Sequence, residues 1–219
     1  MKPADEIKIP AGKVTLDGNL SVPESAQGLV LFVHGSGSSR HSPRNRFVAG
    51  ALNDAGLATL LFDLLTSEEE MVDSFSREHR FDIDLLAARL DFAMEWVLKE
   101  RSVHDLPIGY FGSSTGAAAA LVGAAARPDH VAAVVSRGGR PDLAGNALAI
   151  VRPPTLLVVG GNDDVVIGLN RDAMARMRCK VTLKIVPGAG HLFEEPGKLE
   201  EVARLAGVWF NEHFTSKAA

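Results

Sequence analysis

Three side chains of this 219-residue chain have the types and settings that acyl transfer needs: a serine, an aspartate and a histidine, each in a glycine-rich loop after an apolar run. Ser114 stands in Gly112-Ser113-Ser114-Thr115-Gly116, after Pro107–Phe111 and before an alanine-rich stretch. Glycines two before and two after the serine remove Cβ atoms from a tight strand-to-helix turn that would lift one hydroxyl clear of the chain. A hydroxyl is a weak nucleophile until a base takes its proton. His191 is the candidate base, in Pro187-Gly188-Ala189-Gly190-His191 after Val181–Val186. The remaining six histidines read as surface or core residues. The candidate acid lies in Gly160-Gly161-Asn162-Asp163-Asp164-Val165-Val166-Ile167, where a carboxylate can accept from the imidazole Nδ1–H and hold its tautomer. Counting from Gly160 selects Asp163, counting from Gly161 selects Asp164, and Asp142 is a third possibility. Asp163 is the preferred one.

A fourth segment completes the chemistry. His34-Gly35-Ser36-Gly37-Ser38-Ser39 follows the apolar run Gly28–Val33. An oxyanion hole needs backbone N–H groups aimed at developing charge, each worth about 3 kcal/mol to an acyl-transfer enzyme. The N–H groups of Ser36 and Thr115 are the expected donors. The same loop could cradle a phosphate, but it lacks the lysine of GxxxxGK[ST] and the full GxGxxG pattern. Arginines gather near the same run ends: Arg40, Arg44 and Arg46, then Arg137 and Arg140. Their plain role is salt bridging to Asp63, Glu68–Glu70 or Asp142. Their sharper role is a fork on a substrate carboxylate or phosphate, for which Arg40 and Arg137 are the candidates.

Elements that could position these groups follow from periodicity. Apolar runs at Val14–Leu16 with Leu20–Val22, Gly28–Val33, Leu57–Phe62, Pro107–Phe111, Val131–Ser136, Thr155–Val159 and Val181–Val186 read as strands. Helical stretches lie between them at about Pro43–Ala55, Phe81–Glu100, Ser114–Ala126, Leu169–Met177 and Lys198–His213. Continuous rather than alternating apolar strands imply burial on both faces, hence an α/β fold with a doubly wound, mostly parallel sheet and helices on both sides. Asp17-Gly18 predicts the turn of an antiparallel edge hairpin. The acidic run Glu68–Glu70 reads as a solvated loop or helix start. Residues 1–219 read as a single domain, and the 18 residues Arg137–Pro154 are too few for a large cap.

Composition bounds the rest. A formal charge of −4 and no basic block argue against a nucleic-acid partner. No apolar stretch reaches the ~18 residues of a membrane span, and the N-terminus lacks a secretory pattern. The one cysteine, Cys179, forms no intramolecular disulfide, so a cytoplasmic location is expected. No metal or organic cofactor is implied.

Together HGSG at His34–Gly37, GSSTG at Gly112–Gly116, GGNDDVV at Gly160–Val166 and GAGH at Gly188–His191, in the chain order serine, acid, histidine, resemble the α/β-hydrolase superfamily. Within it the chain resembles the compact dienelactone hydrolase-like proteins, from about Gly28 to the C-terminus. Dienelactone hydrolases proper carry a cysteine where Ser114 stands, so the resemblance implies a serine esterase acting on a small ester or lactone, anionic ones included. Peptidase, acyltransferase and perhydrolase activities use the same triad, and a non-catalytic binding module on the same fold is the alternative of another class.

Overall fold

The computed structural model describes residues 4–215. Eight strands form one sheet in the order β1-β2-β4-β3-β5-β6-β7-β8, where β1 is Asp5–Ala11, β2 Val14–Ser21, β3 Leu29–Val33, β4 Ala58–Phe62, β5 Ile108–Ser113, β6 Val131–Arg137, β7 Thr155–Gly160 and β8 Val181–Val186. The pairs β1–β2 and β2–β4 are antiparallel and every other pair is parallel. The helices are α1 Pro43–Asp54, α2 Ser67–Ser76, α3 Ile83–Val97, α4 Thr115–Ala126, α5 Asp164–Arg176 and α6 Lys198–Thr215, with a 3-10 segment at Pro141–Ile150. Among the described residues no helix is long and apolar enough to cross a membrane. This is the doubly wound α/β sheet that the apolar runs predict, with no large cap between β6 and β7.

The two faces are covered differently. Val48 and Leu52 of α1 and Val202, Ala206 and Phe210 of α6 pack with Phe32, Phe111 and Val135 of the sheet. On the other face Leu86, Leu90 and Met94 of α3 and Leu121 of α4 pack with Leu31, Tyr110 and Val134. The helix α4 is mostly alanine and glycine, and most of its residues are buried. Small side chains on all sides let its backbone sit close to the strands, which fixes its N-terminus at the carboxyl edge of the sheet.

Two expectations need correction. The edge hairpin is β1–β2, turning at Gly12-Lys13, and Asp17-Gly18 lies inside β2, paired with Lys8 and Ile7. The Asp-Gly dipeptide favours a turn, but the alternation of buried Leu16, Gly18 and Leu20 keeps the strand running through it. The helix α5 starts at Asp164 rather than Leu169. The acidic run is a helix start, one of the two readings given for it: Glu68–Glu70 form the first turn of α2, which Thr66 opens with a capping box, its hydroxyl accepting from Glu69 N–H while Glu69 accepts from Thr66 N–H.

Candidate active site

Ser114 sits between the last residue of β5 and the first of α4, with φ 51° and ψ −124°. A non-glycine residue there is strained by about 1–3 kcal/mol, and persists only where its surroundings over-determine it. Those surroundings are visible. Ser114 N–H donates to Arg137 O at 3.3 Å, and Ser114 O accepts from Arg140 N–H at 3.0 Å and Ala117 N–H at 3.1 Å. The flanking glycines are sterically required: a Cβ on Gly112 would lie 2.5 Å from Ala117 Cα, and one on Gly116 would lie 2.2 Å from Val33 O. Ser113, the neighbouring hydroxyl, is buried at the end of β5 and paired with Arg137 in the sheet.

His191 and Asp163 meet at the exits of β8 and β7. His191 Nδ1 lies 2.7 Å from Asp163 Oδ2; the His191 side chain is 40% exposed and that of Asp163 16%. Asp163 directly precedes α5 in a non-helical conformation and its side chain makes no capping bond, which leaves it to the imidazole. Asp164 enters the first turn of α5 and is exposed. Asp142 is held by Arg140 through two bonds of 2.9 and 2.8 Å. Of the three candidate acids, Asp163 alone bonds to His191. The ring lies against the exit of β6: a Cβ on Gly138 would be 3.6 Å from His191 Cε1. Gly138 follows the residue whose carbonyl holds Ser114 N–H, so the Ser114 backbone and the imidazole share one corner of the sheet edge.

The loop after β3 is fixed by His34. A backbone amide can only donate, so Leu64 N–H at 3.0 Å makes His34 Nε2 an acceptor and puts the ring proton on Nδ1, which donates to Gly35 O at 3.0 Å. This neutral tautomer agrees with burial, which pushes the His34 pKa down. The N–H of Ser36 donates to Thr115 Oγ1 at 3.0 Å, and the two hydroxyls are 2.9 Å apart. One expected oxyanion donor is therefore engaged by the side chain of the residue carrying the other. Ser36 Oγ also donates to Arg80 O at 2.9 Å, and Arg80 is anchored by the fully buried Asp73.

The structure sorts the arginines. Arg40 is ion-paired with Asp63, and its N–H donates to Asp63 Oδ1 at 2.7 Å, so the salt-bridge role applies to it. Arg44 reaches Glu194 at 2.8 Å. Arg137 is 7% exposed and has no ion pair among the described residues. Sequence reasoning missed the groups that brace the loops. Glu195 Oε1 accepts from Gly190 N–H at 2.9 Å, and Asn170 of α5 donates to Gly139 O at 3.0 Å. Neither sits in a pattern that marks such a role.

Comparison with known proteins adds to this geometry. A crystal structure of a dienelactone hydrolase from Anabaena variabilis superposes with a TM-score of 0.95 at 55% identity, covering 97% of this chain and 99% of that one. An α/β serine hydrolase without lid from Xanthomonas campestris gives 0.75 at 20% identity, over 97% and 95% of the two chains, a likeness of fold. A Mycobacterium tuberculosis protein provisionally named a phosphoribosyl transferase is 57% identical over 209 residues, which are 95% of this chain and 46% of that protein. The chain thus spans about half the length of that relative. The model of the dienelactone hydrolase family matches residues 20–212, so this chain belongs to the dienelactone hydrolase family.

Proposed function

We propose that the protein hydrolyses esters or lactones through an acyl-enzyme on Ser114. The observation that carries this reading is the strained Ser114 turn, held at one sheet corner beside an imidazole already paired with Asp163 at 2.7 Å. His191 takes the Ser114 proton as the hydroxyl oxygen attacks the carbonyl carbon. Asp163 accepts from Nδ1–H and stabilises the imidazolium without itself taking the proton. The carbonyl electrons move to oxygen, where amide donors receive them. Thr115 N–H, in the first turn of α4, has no carbonyl one turn earlier and is the natural first donor. Ser36 N–H becomes the second once the Thr115 hydroxyl rotates away. His191 then protonates the leaving alkoxide, and a water deprotonated by His191 releases the acid. In a lactone the leaving alkoxide stays tethered to the acyl group.

The test is a rapid acid quench during turnover of p-nitrophenyl acetate and of a small lactone, followed by mass spectrometry. An acyl adduct on the peptide containing Ser114 is expected; turnover without any adduct, with Ser114→Ala as active as the parent, overturns the reading. The name of the mycobacterial relative raises phosphoribosyl transfer as a second reading. Against it, the aligned half is the part that the hydrolase family model matches, and more than half of that relative lies outside the alignment. Incubation with a phosphoribosyl diphosphate and a nucleobase decides between them.

A further inference from the structure

No apolar residue of α2 is buried; the one side chain that this helix buries is the carboxylate of Asp73, while Met71 and Phe75 are exposed. A charged group is buried only where donors meet it, and the Asp73 side chain has three. Its Oδ1 accepts from the N–H groups of His79 and Arg80 at 2.8 and 2.9 Å, and its Oδ2 accepts from Arg80 Nε at 2.7 Å. Its backbone carbonyl accepts from Arg77 N–H and Arg80 Nη2, each at 2.9 Å. Arg77 stands in the left-handed region at φ 60°, which costs a non-glycine residue strain that these bonds offset. Burial raises the pKa of Asp73, but the bonds from Arg80 and His79 outweigh it and keep the carboxyl below its ordinary value, so it is charged at neutral pH. Segment 77–80 is thereby folded back over the end of α2 and closed on Asp73, which fixes the carbonyl of Arg80 in space.

That carbonyl sets the proton order at the loop after β3. A carbonyl only accepts, so the Ser36 hydroxyl spends its proton on Arg80 O at 2.9 Å. The contact of 2.9 Å between the Ser36 and Thr115 hydroxyls then uses the Thr115 proton, and Thr115 Oγ1 in turn accepts Ser36 N–H at 3.0 Å. Ser36 is held from two sides, by Thr115 and by Arg80. Freeing its N–H for a developing oxyanion breaks the Thr115 side, and the bond to Arg80 is the one that stays. We propose that Asp73 is a positioning residue, which through the Arg80 carbonyl and the Ser36 hydroxyl keeps the Ser36 amide aimed at the oxyanion after the Thr115 hydroxyl has turned away. The proposal rests on the reading of Ser114 as nucleophile and of Ser36 N–H as second donor. Because the hold from Arg80 matters most when the Thr115 bond is broken, its loss is felt in the transition state and falls on kcat rather than on KM.

The test is a double-mutant cycle on the whole protein, read by p-nitrophenyl acetate kinetics and by amide hydrogen exchange. Asp73→Asn keeps the shape, but whichever way its amide turns, an NH2 group faces either the two backbone N–H groups or the Arg80 guanidinium, all of them donors. It is expected to lower kcat about fivefold, the worth of one ordinary hydrogen bond, with KM unchanged within about twofold. Ser36→Ala keeps the N–H and loses the hydroxyl, and is expected to lower kcat about fivefold as well. In that background Asp73→Asn should change kcat less than about twofold, since the link it acts through is already gone. Exchange of the amides in 34–39 is expected to quicken about fivefold in Asp73→Asn, while 181–186 in β8 stays as in the parent. Should Asp73→Asn not fold, Ser36→Ala carries the test alone: coupling is reciprocal, so it should quicken exchange in 77–82 along with its fall in kcat. Equal losses of kcat in both backgrounds, a parental kcat in folded Asp73→Asn, or exchange in 34–39 that ignores Asp73 overturns the positioning role, as does a Ser36→Ala protein with parental kcat and parental exchange in 77–82. The two claims part in the same samples: coupled exchange in a protein that turns over no ester sinks the hydrolase reading, and turnover with uncoupled loops sinks the positioning role alone.

Discussion

Replacing Gly160 by alanine separates the acid loop from the histidine loop without touching either proposed catalytic side chain. A Cβ at this position would lie 2.4 Å from Gly190 O and 2.5 Å from Ala189 O, and 2.9 Å from the carbonyl carbon of Ala189. All three are backbone atoms, so no side chain can swing aside, and the two loops must part by roughly half an ångström or more. The same loops are stitched by Gly161 N–H to Val186 O at 2.8 Å and Asn162 N–H to Ala189 O at 2.9 Å. Parting them stretches the 2.7 Å contact between His191 and Asp163. A misplacement of about 1 Å can cost about 10²-fold in rate, so a parting of half that or more should cost about tenfold to a hundredfold. It should appear in kcat more than in KM, because the displaced groups move protons rather than bind substrate. Forcing an extra methyl into a packed site also costs about 1–3 kcal/mol, equivalent to a Tm lower by roughly 2–12 °C in a chain of this size. Ester hydrolysis and thermal unfolding of the purified variant check both figures. A Gly160→Ala protein with wild-type kcat would refute the claim that this contact sets the position of the imidazole.

Other outcomes follow from individual contacts. Asp163→Asn is expected to lower kcat by about 10⁴-fold by favouring the wrong imidazole tautomer, whereas Asp164→Asn, on an exposed first-turn residue, should change kcat only a few-fold; steady-state kinetics on both variants distinguishes them. Thr115→Val removes the acceptor of Ser36 N–H and the partner of its hydroxyl, and since a hydrogen bond of this kind is worth about 1 kcal/mol, kcat should shift about fivefold with Thr115→Ser restoring it. His34 has a folded pKa below its ordinary value of 6.5, so the unfolded chain takes up a proton that the folded one refuses. Its contribution to stability is therefore complete above that value and is lost as pH falls below it. Denaturant unfolding at neutral and mildly acidic pH should show the decline, and His34→Gln should flatten it.

The sheet and the three glycine-rich turns at its carboxyl edge were legible because each depends on local pattern. Runs such as Leu29–Val33 and Thr155–Gly160 are apolar at every position, which only a strand covered on both faces needs. The Gly-x-Ser-x-Gly spacing reports a turn so tight that Cβ atoms collide with Ala117 and Val33. The choice between Asp163 and Asp164 was less legible, since it turns on which residue precedes α5 and which begins it. The edge hairpin was misplaced because a turn-favouring dipeptide was weighed above the burial alternation of Leu16, Gly18 and Leu20. Beyond its acidic first turn, α2 is absent from the helical stretches that periodicity gives, although Thr66 and Glu69 carry the spacing of a capping box. What sequence could not reveal are partnerships across the fold. That Arg40 has Asp63 while Arg137 has no ion pair among the described residues depends on where strands and helices converge, not on any spacing along the chain.

The most direct examination of the account is covalent labelling of the folded protein with a fluorophosphonate, located by peptide mass spectrometry. The account expects a single phosphonylated site at Ser114, abolished in Ser114→Ala and slowed at least about a hundredfold in His191→Ala. Labelling that persists in Ser114→Ala, or that proceeds at the wild-type rate without His191, would contradict it.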